Sequence, residues 1–152
     1  MTYTDAQARQ QLLDVLAQAA DEIGFALASL GEAYEQLDEH AADRLEEQLF
    51  RPVQAAYGLA KRTHAEFAAR CGLPSPAFQS RTAGAPSSGP KGFLDSALDA
   101  VGRADSALGT LQDSMLPVDV GDAQLRAGIA HVRELLGGLR GRARELVRTL
   151  GR

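Results

Sequence analysis

The sequence contains no tryptophan and a single cysteine, Cys71. A lone cysteine cannot form a disulfide within the chain, which excludes a small fold held together by disulfides and favours a reducing cytoplasm. Aromatic residues make up only 5% of the chain, whereas the strands of a β-sandwich are usually rich in them. These shortages favour a helical protein whose helices pack through alanine and leucine.

Long apolar runs are also missing. No stretch approaches the roughly 20 apolar residues that a helix needs to cross a bilayer, and the first ten residues are polar where a signal peptide would have an apolar core. The formal net charge is −4, so the chain has no overall positive field to attract nucleic acid. We therefore expect a cytoplasmic protein that binds neither membranes nor nucleic acid.

The clearest pattern in the sequence lies between Leu125 and Leu150, where apolar residues alternate at spacings of four and three. Such spacing predicts a helix with a narrow apolar seam that faces other helices, whereas a strand would need a period of two. The seam residues are Leu125, Ile129, Val132, Leu136, Leu139, Ala143, Leu146 and Leu150. A seam of this length must be covered by matching seams elsewhere in the chain.

Three earlier segments carry the same spacing and predict three further helices. The first seam consists of Leu12, Leu16, Ala19, Ile23, Ala26, Leu30, Ala33 and Leu37. The second consists of Leu45, Leu49, Val53, Ala56, Ala60, Thr63 and Phe67. The third consists of Leu94, Ala97, Val101, Ala104, Leu108, Leu111 and Met115.

Capping residues and prolines predict where these helices begin, bend and end. Asp and Thr side chains accept hydrogen bonds from the free backbone N–H groups of a first turn. The candidate N-caps are Thr4 or Asp5, Asp38 or Asp43, and Asp119 or Asp122. Pro52 lies inside the second seam and predicts a kink, while Gly72 predicts the end of that helix.

Residues 72–92 interrupt the pattern with four of the six prolines, several glycines and several serines. The connections on either side of this segment are short, and short connections make successive helices antiparallel neighbours. The sequence therefore predicts an all-α fold, a four-helix antiparallel up-down bundle in one domain, residues 1–152. Two helical hairpins, at about 5–71 and 93–150, are joined by a long Pro/Gly/Ser-rich linker, residues 72–92.

Two pairs of glycines stand out within the predicted helices, where each glycine costs about 1 kcal/mol relative to alanine. Gly24 and Gly31 are seven residues apart on one face, which suggests that another backbone passes close by; weakly tolerated glycine is the alternative. A shift of 78 residues aligns this pair with Gly102 and Gly109. The match predicts either a duplicated hairpin or a chance alignment of two helices of similar composition. We treat all four glycines as candidate close-packing or interface positions.

Charge is divided unevenly between the two halves of the chain. Residues 1–71 contain six basic and twelve acidic residues, and residues 72–152 contain ten and eight. In the last helix Arg140, Arg144 and Arg148 are four residues apart and share one face. That face is either a docking strip for an acidic partner or nucleic acid, or a solvated face opposite the acidic side of the first helix, and we favour the second interpretation.

The sequence contains no recognised catalytic or cofactor-binding motif. The Glu-x-x-His pairs of di-iron bundles, phosphate-binding loops and dinucleotide fingerprints are all missing, so we assign no catalytic residue, cofactor or metal. His64 and His131 each flank a seam residue; we interpret them as exposed on the helix flanks, and a small ligand or metal held between them is the alternative. The leading hypothesis is a non-enzymatic module that binds a protein partner or a second copy of itself; the alternative is a small-ligand or metal-binding bundle.

Overall fold

The chain is all-helical in the computed structural model, which describes residues 4–84 and 89–150; no strand occurs in these ranges. The all-α prediction is therefore confirmed. A π-helical turn, Glu46–Phe50, joins the second and third helices. The helices are α1 Asp5–Glu35, α2 Glu39–Leu45, α3 Arg51–Cys71, α4 Gly89–Asp113, α5 Leu116–Asp119, α6 Ala123–Leu136 and α7 Leu139–Leu150.

Three predicted N-caps and one predicted helix end are confirmed. Thr4 Oγ1 accepts from the backbone N–H of Gln7 at 3.2 Å, and Asp38 Oδ1 accepts from that of Ala41 at 2.9 Å. Asp122 Oδ1 accepts from Leu125 N at 2.8 Å. Gly72 follows α3 in the left-handed conformation with φ 68°, which glycine adopts without the steric cost that a Cβ imposes.

Asp122 also ties the start of α6 to the end of α3. Its two carboxylate oxygens accept from Arg70 Nε at 2.7 Å and Arg70 Nη2 at 3.0 Å. The hydrogen bond from Arg70 lowers the pKa of Asp122, and the backbone N–H of Leu125 acts in the same direction against a partial desolvation. The cap therefore keeps its charge, and one side chain both starts a helix and joins two helices.

The helix that contains Pro52 continues across this residue through the π-helical turn. Because proline has no N–H, the carbonyl of Gln48, four residues earlier, lacks its normal α-helical donor. The backbone stays right-handed helical at Leu45, Phe50 and Arg51, and Arg142 Nη1 donates to the Gln48 carbonyl over a long 3.5 Å. The chain thus has a wider helical turn just before Pro52 and a side-chain donor from α7, and the kink at Pro52 stays a prediction.

The last predicted helix is wrong in one respect, because residues 125–150 form two helices rather than one. Gly137 is extended, with φ −66° and ψ 142°, and Gly138 is left-handed with φ 80°. Leu136 and Leu139, on either side of the break, are both buried. The seam spacing therefore survives a change of direction that only the glycine pair in the sequence could have indicated.

The boundaries of α4 also differ from those predicted. The helix begins at Gly89, inside the expected linker, and ends at Asp113. Met115, expected on the third seam, is instead 51% exposed and left-handed with φ 69°. Residues 85–88 of the predicted linker lie outside the described residues.

Burial confirms the four seams almost completely. Every seam residue is buried except Met115, which is exposed, and Leu37 and Leu150, which are half-buried. Among the described residues only three buried side chains are polar: Ser29, Thr63 and His64. The core is therefore a hydrocarbon interior without the inward-facing carboxylates that a metal site in a bundle requires.

The helices pack side by side with opposite chain directions in several pairs. Glu22 of α1 pairs with Arg103 of α4 at 2.8 Å, and Val15, earlier in α1, shares a groove with Thr110, later in α4. Helices α3 and α6 are also antiparallel. Arg70 at the end of α3 pairs with Asp122 at the start of α6, whereas Thr63, earlier in α3, contacts Gly128, later in α6. Helix α1 packs most extensively on α4 and secondarily on α3, while the main partner of α6 is α3.

Among the glycines inside the described helices, the closest approach of a neighbouring helix is at Gly128 of α6. The sequence did not single out this residue. An ideal Cβ on Gly128 would lie 2.6 Å from Thr63 Oγ1 and 2.7 Å from Thr63 Cγ2 of α3. A Cβ at Gly31, in contrast, would have no neighbour within 4 Å. Of these two interior glycines, only Gly128 is required by the packing.

We therefore expect opposite effects from two alanine substitutions. Gly31→Ala should stabilise the fold by about 0.5–1 kcal/mol, because it lowers the entropy of the unfolded chain and meets no atom. Gly128→Ala should destabilise it by about 1–3 kcal/mol, because α3 and α6 must separate. Urea unfolding followed by circular dichroism measures both; equal stabilisation by the two variants would contradict the packing at Thr63.

Candidate interaction surface

The two glycines of α1 differ in their surroundings: Gly24 faces a side chain, and Gly31 faces open space. An ideal Cβ at Gly24 would lie 3.0 Å from Cε1 of Tyr57, so the nearest neighbour is an aromatic ring of α3 rather than a backbone. Lys61 Nζ lies 4.2 Å from the centre of the same ring. Gly31 lines a notch with Tyr34, Glu35, Glu46 and Phe50. The expected close backbone approach is therefore replaced by a ring at Gly24 and by open space at Gly31.

The glycine pair of α4 lies beneath arginine side chains from the last two helices. A Cβ at Gly102 would be 3.1 Å from Arg140 Nη2, and one at Gly109 would be 3.2 Å from Arg133 Cζ. Without a Cβ, these glycines leave room for a guanidinium group beside α4. They are thus places where one helix receives a side chain from another, and an interface role for the four glycines stays a prediction.

Arg133 makes the best-satisfied of these contacts. Its Nε and Nη2 donate to Asp105 at 2.9 and 3.4 Å, and its Nη1 donates to Gln112 Oε1 at 2.7 Å. The hydrogen bond to Asp105 raises the pKa of Arg133. Because a guanidinium presents several donors in one plane, a single side chain holds two residues of α4, one on each side of Gly109.

The predicted arginine strip is exposed along its length. Arg140, Arg144 and Arg148 are all exposed, and Arg148 lies 3.4 Å from Glu145 in its own helix. Helix α7 packs on α2, the π-helical turn and α4. No ion pair between the strip and α1 occurs within residues 4–84 and 89–150. Arg140 lies next to Gly102 of α4, and a docking role for the strip stays a prediction.

His64 and His131 have different environments. His64 is buried at 5% exposure, whereas His131 is exposed on α6. The groove lined by His64 is bounded by α1 and residues 74–81, and His131 is not among its lining residues. In the part of the chain that the structure describes, no group of three or more His, Cys, Asp or Glu side chains is placed to hold a metal ion.

A groove between α1 and α4 has a lining without charged residues. Its volume is about 380 Å³. The contributing side chains are small or uncharged: Gln11, Val15, Gln18, Ser106, Ala107, Thr110, Leu111, Ser114 and Leu116. Charged residues are 24% of the chain, so an uncharged surface of this extent stands apart from its surroundings. Interface centres are depleted in charge in the same way.

The groove ends at an apolar turn after α4. Met115 is 51% exposed and Val118 is 55% exposed, and only one other large hydrophobic side chain of the described ranges, Tyr34, is comparably open. Ser114 and Leu116 line the groove and flank Met115 in sequence. We call the groove together with Met115 and Val118 the uncharged face.

This apolar turn is held in place by side chains from two other helices. Arg9 Nε of α1 donates to the carbonyl of Val120 at 3.1 Å, and Arg126 Nη1 of α6 donates to that of Pro117 at 3.1 Å. Ser114 Oγ donates to Leu111 O at 2.6 Å. A non-glycine residue such as Met115 adopts positive φ only when its surroundings fix it, so the exposed side chains sit on a rigid support.

Comparisons with known proteins return no match to this chain: neither a family model, nor a curated protein, nor a solved structure is similar to it. Within the described helices none is long and apolar enough to span a membrane.

The Arg133 contacts predict a selective loss of stability. Arg133→Ala should cost about 1 kcal/mol, since solvent screens the ion pair while Gln112 and Asp105 both lose a donor. Arg133→Lys should recover only part of this, because an ammonium cannot span both partners. The matched control is Arg144→Ala, on an exposed residue of α7. Thermal unfolding measures all three variants, and an equal loss in the control would contradict this role.

Proposed function

We propose that this chain is a non-enzymatic protein-interaction module: a single-domain, antiparallel four-helix bundle of two hairpins that forms a homodimer through the uncharged face. One observation carries the proposal: Ser114 and Leu116 of the charge-free groove flank the exposed Met115 in sequence, and the exposed Val118 follows in the same turn. The lone cysteine supports a reducing compartment, and we expect the protein to act in the cytoplasm.

The chemistry of the face favours a second copy as the partner. A two-fold dimer places each patch against an identical patch, so a charge near the symmetry axis would meet its own copy. A lining without charge avoids that repulsion. Ser106, Ala107, Thr110 and Ser114 are small, and they let a partner helix approach α4 closely.

The energetics are consistent with modest self-association. Complete burial of a Met or Val side chain contributes about 1.5–3 kcal/mol, and roughly half of each is exposed in the monomer. Each residue occurs twice in a two-fold dimer. Because hydrogen bonds from Arg9 and Arg126 already hold the turn, little ordering entropy is lost when it is covered.

The alternative of a small-ligand or metal-binding bundle has weaker support. It required a site between His64 and His131, and the groove that contains His64 is lined on its other sides by α1 and residues 74–81. Native mass spectrometry distinguishes the two hypotheses, since a retained metal or organic ligand appears as added mass on the monomer.

A charge placed in the groove tests the proposal. Ala107→Glu places a carboxylate in an interface that offers it no charged partner, and we expect it to weaken dimerisation at least tenfold, about 1.4 kcal/mol. Ala55→Glu, the same change on an exposed position of α3, should leave dimerisation unchanged. Sedimentation velocity over a concentration series measures the equilibrium, and circular dichroism verifies that both variants keep their helices.

Two outcomes would overturn the proposal. A wild-type protein that stays monomeric at all accessible concentrations rules out self-association. A dimer that persists in Ala107→Glu as well as in Ala55→Glu rules out the uncharged face as its interface.

A further inference from the structure

The segment that follows α3, residues 73–84, runs along the outside of the helices without regular structure. Its few contacts with the core come from apolar residues: Leu73, Phe78 and Ala83 pack against it. Most residues of this segment between Pro74 and Arg81 line a groove together with α1. We call residues 73–84 the strap.

Among the described residues, the strap beyond Leu73 has one hydrogen bond to the rest of the protein. Ser75 Oγ lies 3.2 Å from Nδ1 of His64. Phe78 packs edge-on against the same imidazole, with 5.4 Å between ring centres and 82° between ring planes. A single side chain of α3 therefore holds both the polar anchor and the aromatic anchor of the strap.

That side chain is also the only buried ionisable residue in the described ranges, since the other buried polar residues are Ser29 and Thr63. An imidazole accepts a proton near pH 6.5 when it is in water. The charged form loses its hydration if it stays beneath the strap, and burial of an unneutralised charge is costly. Movement of Ser75 and Phe78 away from the ring would let water reach it.

We propose that the strap is an acid-releasable cover: protonation of His64 detaches Ser75 and Phe78 and exposes the imidazole to solvent at the groove between the strap and α1. The step transfers one proton from solvent to the imidazole and breaks no covalent bond. The neutral and charged rings can both hydrogen-bond to Ser75 Oγ, so the driving force is rehydration of the ring rather than loss of this hydrogen bond.

The charged groups around the groove set the direction of the response. Burial lowers the pKa of His64, and the negative charge of Asp14 raises it by a smaller amount. The lining also contains Asp21 from α1 and Arg81 from the strap. Helix α3 itself carries Lys61, Arg62 and Glu66 within three residues of His64, and Tyr57 one turn further away, whose pKa is raised by burial and by Asp21. Asp14 therefore offsets part of the cost but does not remove it.

The sign of the pH dependence follows from this shift. His64 binds a proton at a higher pH when the strap is released than when it is closed, because the imidazole is hydrated in the released state. The closed state is therefore fully favoured above pH 6.5 and loses stability as the pH falls below this value toward the lowered pKa of closed His64. Within that window the equilibrium constant for opening rises by up to about tenfold per pH unit.

Tryptic cleavage after Arg81 reports release, because Arg81 lies within the strap. The rate should be divided by that of a free peptide with the sequence of residues 77–85 at the same pH, which removes the pH dependence of trypsin. Cleavage after Lys61 and Arg62 within α3 reports global unfolding. We expect the corrected rate after Arg81 to increase several-fold between pH 7.5 and 5.5 while cleavage of α3 stays unchanged.

Two variants make the test specific to His64. His64→Gln cannot become charged and should remove the acid response, whereas Ser75→Ala keeps the imidazole and should accelerate cleavage at pH 7.5 while retaining the response. NMR titration of the wild type gives a second readout: the Phe78 ring signals should shift on the same curve as those of His64, with the exposed His40 and His131 as internal references.

The proposal is overturned if His64 titrates while the Phe78 signals and the rate of cleavage after Arg81 stay constant. It is also overturned if His64→Gln folds and keeps the full acid response. If His64→Gln does not fold, Ser75→Ala and the NMR titration decide the result on their own.

Discussion

Burial of four narrow apolar seams is the constraint on which this structure depends. Each seam is too narrow to form a core alone, so every long helix must lie against others, and its remaining surface stays in water. The seams are long, and few polar side chains are admitted between them. Stability therefore comes from non-specific burial, whereas specificity comes from a small number of contacts that fix which helix lies where.

Several of these contacts share one form. A side chain of one helix lies against a glycine of another helix, or donates to a carbonyl that lacks its usual helical donor. Gly24 receives Tyr57, Gly109 receives Arg133, and the carbonyl of Gln48, which Pro52 deprives of its donor, faces Arg142. Residues that weaken a helix in isolation thus position its neighbours. The uncharged face has no such occupant in the monomer, and it is there that we place the partner.

The sequence predicted the parts of the fold that depend on local chemistry. Helix starts at Thr4, Asp38 and Asp122 follow from the geometry of a first turn, and burial of the seams follows from their period. The break at Gly137 and Gly138 was not predicted, because the seam spacing continues across it. Exposure of Met115 was missed for a related reason, although Pro117 has no N–H to donate to the carbonyl of Asp113, four residues earlier, where α4 ends.

The candidate surface was less predictable than the fold because it depends on residues distant in sequence. Val15 and Thr110 lie on different helices, and nothing in either segment shows that their neighbours in space are also uncharged. The role of His64 has the same character: its spacing marks it only as a neighbour of Thr63, and its burial depends on Phe78 in an irregular segment. Pairings of this kind require the three-dimensional structure.

The pairing of α1 with α4 has a consequence for the order of folding. The most extensive contacts of α1 are with a helix that begins at Gly89, so a nascent chain cannot cover the first seam with α3 alone. Contacts between segments so far apart in sequence raise the contact order, which slows folding relative to bundles built from sequential pairs. During synthesis, the first hairpin must therefore wait, with part of its apolar surface uncovered, until α4 has left the ribosome.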